Sequence, residues 1–373
     1  MARGAPRPGY APTAGYSSAT PTRTTTPVIS TPVVLQPTAT GTPTPTVTPP
    51  ATATATRTTT ATTTPTASPT STSIAPITAA VDVAFNPAGT RAYVTEFGGN
   101  VGVINTATSA VVGQIVVGGS PNGVAVNPAG TRAYVASAFT QVVSVIDTAT
   151  NAVIATVPVG TTPRRLVVDP SGTRVYVTNG GSSNVSVIDT ASNTVVATIP
   201  VVSNPTGIAI NPAGTRVYVA NTGGVSVSVI DTGSNTVVAN VPVGSSPIDV
   251  AVNAAGTRAY VAVSQTDTLA VVDTASNTVI ANVPVGTRPD SVAVNPAGTR
   301  VYVTNRLSNT VSVIDAATNV VLATIAVGTG PQGIAVSPDG SRVYVAIFGF
   351  GTAQPGGVAV IDAATNTVLT TIP

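Results

Sequence analysis

A turn sequence of the form Asn-Pro-Ala-Gly-Thr-Arg recurs along most of this chain. It begins at Asn86, Asn127, Asp169, Asn211, Asn253, Asn295 and Ser337, spaced 41 residues once and 42 residues five times. Self-similarity at such a period marks architectures in which one supersecondary unit is copied and stacked. Each unit here holds four short runs of β-branched and aromatic residues separated by turn residues. In the third unit, Leu166-Val167-Val168 reads as strand a and Arg174-Val175-Tyr176-Val177-Thr178 as strand b. Val185-Ser186-Val187-Ile188-Asp189 then reads as strand c, and residues 194–201 as strand d. Between a and b, Asp169-Pro170-Ser171-Gly172 supplies the residues that a type I turn selects. Four antiparallel strands in each of seven units predict an all-β chain, with residues 74–373 forming a seven-bladed β-propeller of four-stranded antiparallel blades. The strands are apolar on both faces, as blades packed face to face require. The last unit ends in a complete strand d, residues 366–373, so closure is expected through a contact of blade 7 with blade 1 rather than a strand swap. Ser73-Ile74-Ala75-Pro76-Ile77 could still add an outer strand.

Residues 1–73 differ in kind. About one-third of them are Thr, with Pro throughout, and no apolar periodicity is present. Such a segment cannot bury enough surface to offset ordering entropy, so it is expected to be a disordered, extended stalk or spacer. Ser/Thr with Pro is also the composition of O-glycosylated stalks. No apolar stretch of signal-peptide type follows the basic start Met1-Ala2-Arg3, and no run long enough to span a membrane as a helix occurs.

The chain contains no Cys, His, Trp or Lys, and Glu96 is its only Glu. That removes zinc and haem ligation, thiol and Ser-His-Asp nucleophiles, and Schiff-base chemistry. No enzyme activity, metal or cofactor is therefore expected. Net charge is +2, but four of the 15 Arg lie in the first 73 residues; the remainder carries 11 Arg against 13 acidic residues, a net of −2. That balance does not provide the basic field that nucleic acid demands.

Val175-Tyr176-Val177-Thr178-Asn179 and Val301-Tyr302-Val303-Thr304-Asn305, with the variant Val217-Tyr218-Val219-Ala220-Asn221, resemble the signature of the YVTN family of β-propeller repeats. Ser-Val-Ile-Asp-Thr, as at Ser144–Thr148, and runs close to Val-Ala-Thr-Ile-Pro-Val-Gly, as at Ile154–Gly160, also resemble that family, and the likeness covers about 300 residues. It implies a propeller at a cell surface or in an envelope, with no shared catalytic residue. Tyr93-Val94-Thr95-Glu96 and Tyr260-Val261-Ala262-Val263 depart from the signature Asn.

Much of the polar inventory reads as structural. Tyr93, Tyr134, Tyr176, Tyr218, Tyr260, Tyr302 and Tyr344 recur at one strand-b position and are expected to pack blade on blade, each hydroxyl finding a local partner. Arg followed 15 residues later by Asp, as in Arg174 and Asp189, predicts a cross-strand pair. The alternative is an Asp that only caps the c–d turn.

With Asp169 and Asp339 set aside as a–b turn residues, the charges beyond residue 73 outside this pattern are Arg164, Arg165, Arg288, Arg306, Asp82, Glu96, Asp249, Asp267 and Asp290. All fall in or beside d–a links and b–c loops, which emerge on one face of the disc. Phe97, Phe139, Phe348 and Phe350 lie in b–c loops of blades 1, 2 and 7, which adjoin once the ring closes. The candidate ligand or partner site is therefore on this face. It consists of the four Phe together with Arg164, Arg165, Asp249, Asp290, Arg306 and Glu96. The sequence points to a non-catalytic, monomeric, extracellular or cell-surface module that binds cell-wall polysaccharide or another surface protein. It binds no nucleic acid in this reading. The alternative is a lactonase- or glycoside-acting propeller using Glu96 with Asp82 or Asp290, since glycoside hydrolysis normally needs two carboxylates.

Overall fold

The computed structural model describes residues 74–349 and 356–373. The expected stalk, residues 1–73, and Phe350 lie outside them. Seven sheets follow one another along the chain, and in each the four strands are hydrogen-bonded in sequence order and antiparallel. Blade 1 comprises strands a to d at Ala80–Phe85, Arg91–Glu96, Asn100–Asn105 and Ala110–Val116. Blades 2 to 7 occupy residues 121–158, 163–200, 205–242, 247–284, 289–326 and 331–372. The a strands of successive blades contact one another around a closed ring, including that of blade 7 with that of blade 1. The chain is thus an all-β, seven-bladed propeller, closed without strand exchange.

Strands b and c are buried almost end to end, and the outer strand d alternates exposed and half-buried positions. Hydrophobic clusters form between blades. Tyr218 of blade 4 packs with Val250, Ala259 and Val261 of blade 5, and Tyr93 of blade 1 with Ala133 and Val135 of blade 2. Tyr344 closes the ring by packing on blade 1, where Phe85 meets it edge-on at a centroid distance of 4.8 Å. The tyrosines pack as expected, but their hydroxyls do not all find partners. Those of Tyr134, Tyr260, Tyr302 and Tyr344 are buried without a hydrogen bond of good geometry.

On the face bearing the a–b turns, the turn Gly of one blade rests on the turn Pro of the blade before it. A Cβ on Gly130 would lie 3.2 Å from Pro87, and one on Gly214 would lie 3.3 Å from Pro170. The same glycines hold φ near +70°. Gly298 is the exception: nothing occupies the space beside it, because blade 5 carries Ala254 where the other turns have Pro.

The Arg/Asp register is as anticipated, with Arg174 opposite Asp189 and its counterparts likewise. Contact is another matter. Among these arginines only Arg216 makes the cross-strand ion pair, with Asp231. Arg91 and Arg132 instead donate to the Thr148 and Thr190 carbonyls of the next blade, at 3.0 and 2.8 Å, and Arg258 reaches Ala316 in the same way. The aspartates cap their c–d turns. Asp189 Oδ1 accepts from the Ser192 amide and hydroxyl at 2.9 Å, which holds its pKa below the ordinary 3.8. In blade 1, Asn105 caps the same turn.

Residues 74–78 do not form the extra strand that the sequence allowed. Ile77 is 1% exposed and lies between blades 7 and 1. It fits over Gly102, where a Cβ would come within 2.9 Å of its side chain.

Candidate binding face

The signature Asn turns out to be a strand tie. Asn179 Nδ2 donates to Ser186 Oγ at 2.9 Å, and Asn221 and Asn305 repeat this with Ser228 and Ser312. Blade 1 has Glu96 and Gly102 at these two positions. There Glu96 Oε2 accepts the Thr78 amide at 3.0 Å. Gln114 Nε2 donates both to Glu96 Oε1 (3.3 Å) and to the Ala75 carbonyl (3.2 Å). Glu96 is buried, which raises its pKa above 4.5. It therefore holds the incoming segment in place, and it is absent from the lining of the channel mouth. Among the sequence candidates it stands apart from the others.

The first residue of each b–c loop donates its amide to the carbonyl of the residue preceding strand a. Phe97 to Ala79, Arg306 to Arg288 and Phe348 to Gly330 are three of these seams. They place Phe97 and Phe348 at one structural position in adjacent blades, with Phe139 a residue further on in blade 2. The three rings meet edge to face, Phe97–Phe348 at 5.8 Å and Phe97–Phe139 at 6.5 Å. Phe97 and Phe139 remain 50% and 75% exposed. The structure thus assembles three of the four sequence-nominated rings; the fourth, Phe350, is not among the described residues.

Arg164, Arg165, Asp290 and Arg306 line a cavity of about 300 Å³ at the channel mouth, with Arg288, Asn122, Asn204 and Gln332. One position further along strand a lies an inner ring: Asp82, Gly123, Arg165, Gly207, Asp249, Ser291 and Gly333, one residue from each blade. The glycines leave room for the charges. A Cβ on Gly123 would lie 2.8 Å from Arg165 Cα, and one on Gly333 would lie 2.5 Å from Asp82 Oδ1. Arg165 Nη1 bonds Asp82 Oδ1 at 2.8 Å, while Asp82 Oδ2 accepts the Val124 amide. Asp249 Oδ2 accepts from Ser291 Oγ (2.6 Å) and the Val292 amide (3.2 Å). Asp249 is thus buried beneath the mouth.

Burial raises the pKa of Asp82 despite Arg165, and Asp249 adds to the rise. Burial likewise raises that of Asp290, with the Arg165, Arg306 and Arg288 guanidiniums pulling against it. Arg165 itself loses by burial, but the carboxylates of Asp82, Asp249 and Asp290 outweigh this and raise its pKa further.

The sequence reading missed the Asp82–Arg165 bond, the glycine ring and the place of Arg288 in the lining. The available signal was the alignment of residues 82, 123, 165, 207, 249, 291 and 333 across the repeats. No cluster of three or more metal-ligating side chains exists among the described residues, and no helix there is long and apolar enough to cross a membrane.

No family model and no curated protein matches the chain. Solved structures do. A Kuenenia stuttgartiensis hydrazine synthase is 23% identical, covering 77% of this chain and 96% of its own, with a TM-score of 0.71. A functionally unknown protein from Desulfotomaculum acetoxidans is 18% identical, covering 76% and 95%, with a TM-score of 0.65. The shared property is the fold. At these identities nothing about activity passes from either protein to this chain.

Proposed function

We propose that the chain is a non-catalytic binding module of YVTN-repeat type, displayed at a cell surface, that holds envelope polysaccharide on the face of its b–c loops. One observation carries this reading: Phe97, Phe139 and Phe348 form an edge-to-face cluster in the b–c loops, with Phe97 and Phe139 open to solvent. Exposed aromatic clusters suit stacking on the apolar faces of sugar rings, where a large contact area is gained at low entropy cost. The non-catalytic part is supported by the carboxylates. Both oxygens of Glu96 accept hydrogen bonds that hold residues 75–78, and Asp82 is engaged by Arg165.

The test is co-sedimentation of the full chain with purified cell-wall polysaccharide, beside a variant carrying Phe97→Ala, Phe139→Ala and Phe348→Ala. The expected result is binding that the variant loses at least tenfold. Equal binding by the variant would place the site elsewhere. Absence of binding by either protein would overturn the polysaccharide reading in favour of a protein partner or an architectural role.

A further inference from the structure

The arginines are distributed unevenly. Seven of the 11 beyond residue 73 start strand b, at the opposite face. The other four, Arg164, Arg165, Arg288 and Arg306, all line the one cavity at the channel mouth, two from blade 3 and two at blade 6. The lining holds fewer carboxylates than arginines. Asp82 is bonded to Arg165, and Asp249 lies below the mouth, held by Ser291 and the Val292 amide. Asp290 is the one carboxylate in the lining. Within the lining itself four guanidiniums meet one carboxylate; Asp82 and Asp249 lie beneath it, and Asp267 beside it accepts the Arg288 amide at 2.7 Å.

A second observation points the same way. Arg164 Nε is buried and has no hydrogen-bond acceptor. A buried charged donor left unsatisfied costs free energy that a suitable acceptor would recover. The remaining lining is neutral: the polar Asn122, Asn204, Thr206, Thr222, Ser264 and Gln332, with Val81 and Ile248. The polar groups donate to and accept from hydroxyls. A volume of about 300 Å³ is at the small end for ligand sites, the size for a single ring. None of the three clustered Phe lines this cavity, so the site stands or falls separately from the aromatic patch.

We propose that the channel mouth binds an oxyanion carried on a small hydroxylated molecule, an acidic sugar or a sugar phosphate, with Arg164, Arg288 and Arg306 holding the anion. Guanidinium groups suit this task because their planar donors match carboxylate and phosphate geometry. The hydroxyl and amide side chains around them hold the polyol.

The test is isothermal titration of the full chain with glucuronate, glucose 6-phosphate, inorganic phosphate and glucose at matched ionic strength. The same titrations are run on Arg164→Gln and on Arg288→Gln, the latter altering an exposed side chain and leaving the core untouched. Binding of glucuronate or glucose 6-phosphate, absent for glucose and weakened about tenfold or more by either substitution, is the expected result. The two acidic sugars tell carboxylate from phosphate preference. Tighter binding of glucose 6-phosphate than of inorganic phosphate shows that the polar lining takes part. Three outcomes overturn the proposal: no heat with any anion, equal binding of glucose, or affinity unchanged in both variants.

Discussion

Arg165 of blade 3 bonds Asp82 of blade 1 at 2.8 Å, passing over the glycine that blade 2 contributes to the inner ring. The bond links two blades that are not neighbours. Removing one partner of a buried ion pair leaves an uncompensated charge, whereas replacing both can be nearly neutral. Arg165→Met is therefore expected to cost about 3–5 kcal/mol, and the Asp82→Asn/Arg165→Met double variant much less. Urea denaturation of the two single variants and the double variant measures the coupling. Additive losses would show that the two residues act independently.

Gly333 tests the room left by the ring glycines. A Cβ there would lie 2.5 Å from Asp82 Oδ1 and 2.6 Å from Asp82 Cα, so the backbone must yield. Gly333→Ala is expected to lose about 1–3 kcal/mol, as overpacking does. Chemical denaturation checks this. Gly298→Ala, with nothing beside it, removes the packing term and leaves only the strain of its φ of +68°.

Ala254 offers the opposite case. The other six a–b turns carry Pro at this position, and blade 5 does not. Ala254→Pro fits a turn already built for proline and restores the contact with Gly298. The expected gain is about 0.4–1 kcal/mol, from reduced freedom of the unfolded chain. A rise in thermal midpoint with unchanged circular dichroism is the readout.

The lead-in segment supplies a fourth prediction. Ile77 is buried between the first and last blades and substitutes there for a swapped strand. Ile77→Ala is expected to cost about 2–5 kcal/mol. Hydrogen exchange should show the loss first in strands a of blades 1 and 7, and protection unchanged at that seam would contradict the assigned role.

Acid should act on this protein in two opposing ways. The turn-capping aspartates, Asp147, Asp189, Asp231, Asp273, Asp315 and Asp362, have folded pKa values below 3.8, chiefly from the backbone and hydroxyl donors of their turns. Their stabilisation is present above 3.8 and is lost as pH falls through the lowered values. Burial gives Asp82, Asp290 and Glu96 the opposite sign. Their folded forms bind protons before the unfolded chain does, so stability rises as pH falls through their raised values. The thermal midpoint is therefore expected to climb on mild acidification and then to drop below about pH 4. Calorimetry across this range checks the shape. Asp189→Asn, which copies the natural Asn105 of blade 1, should soften the acid drop. Asp290→Asn should flatten the climb.

What the sequence made legible was whatever repeats. The period fixed seven blades, and alternation within each unit fixed the register that sets Arg174 opposite Asp189. Register places Cα atoms, however, and a long guanidinium-bearing side chain can leave its own sheet. Arg132 finds a carbonyl of the next blade instead of Asp147, because the blade interface brings that acceptor closer. Glu96 was misplaced for a related reason. Its neighbours Thr78 and Gln114 are local to blade 1, and the Gly102 that admits Ile77 reads as an ordinary small residue until the blades are superposed. The aromatic cluster was readable because Phe97, Phe139 and Phe348 share a loop type in adjacent units. The Asp82–Arg165 bond was not, because it skips a blade.

No blade borrows a strand from another, so each is encoded by one unbroken stretch of the gene. Replication slippage or unequal crossing-over between units would then delete or duplicate whole blades, never fragments of them. What such an event alters is the wedge angle around the ring and the composition of the mouth. Losing the unit of blade 3 would remove Arg164 and Arg165 together and leave every remaining sheet intact. The chain's architecture thus lets copy number and binding chemistry change in a single genetic step.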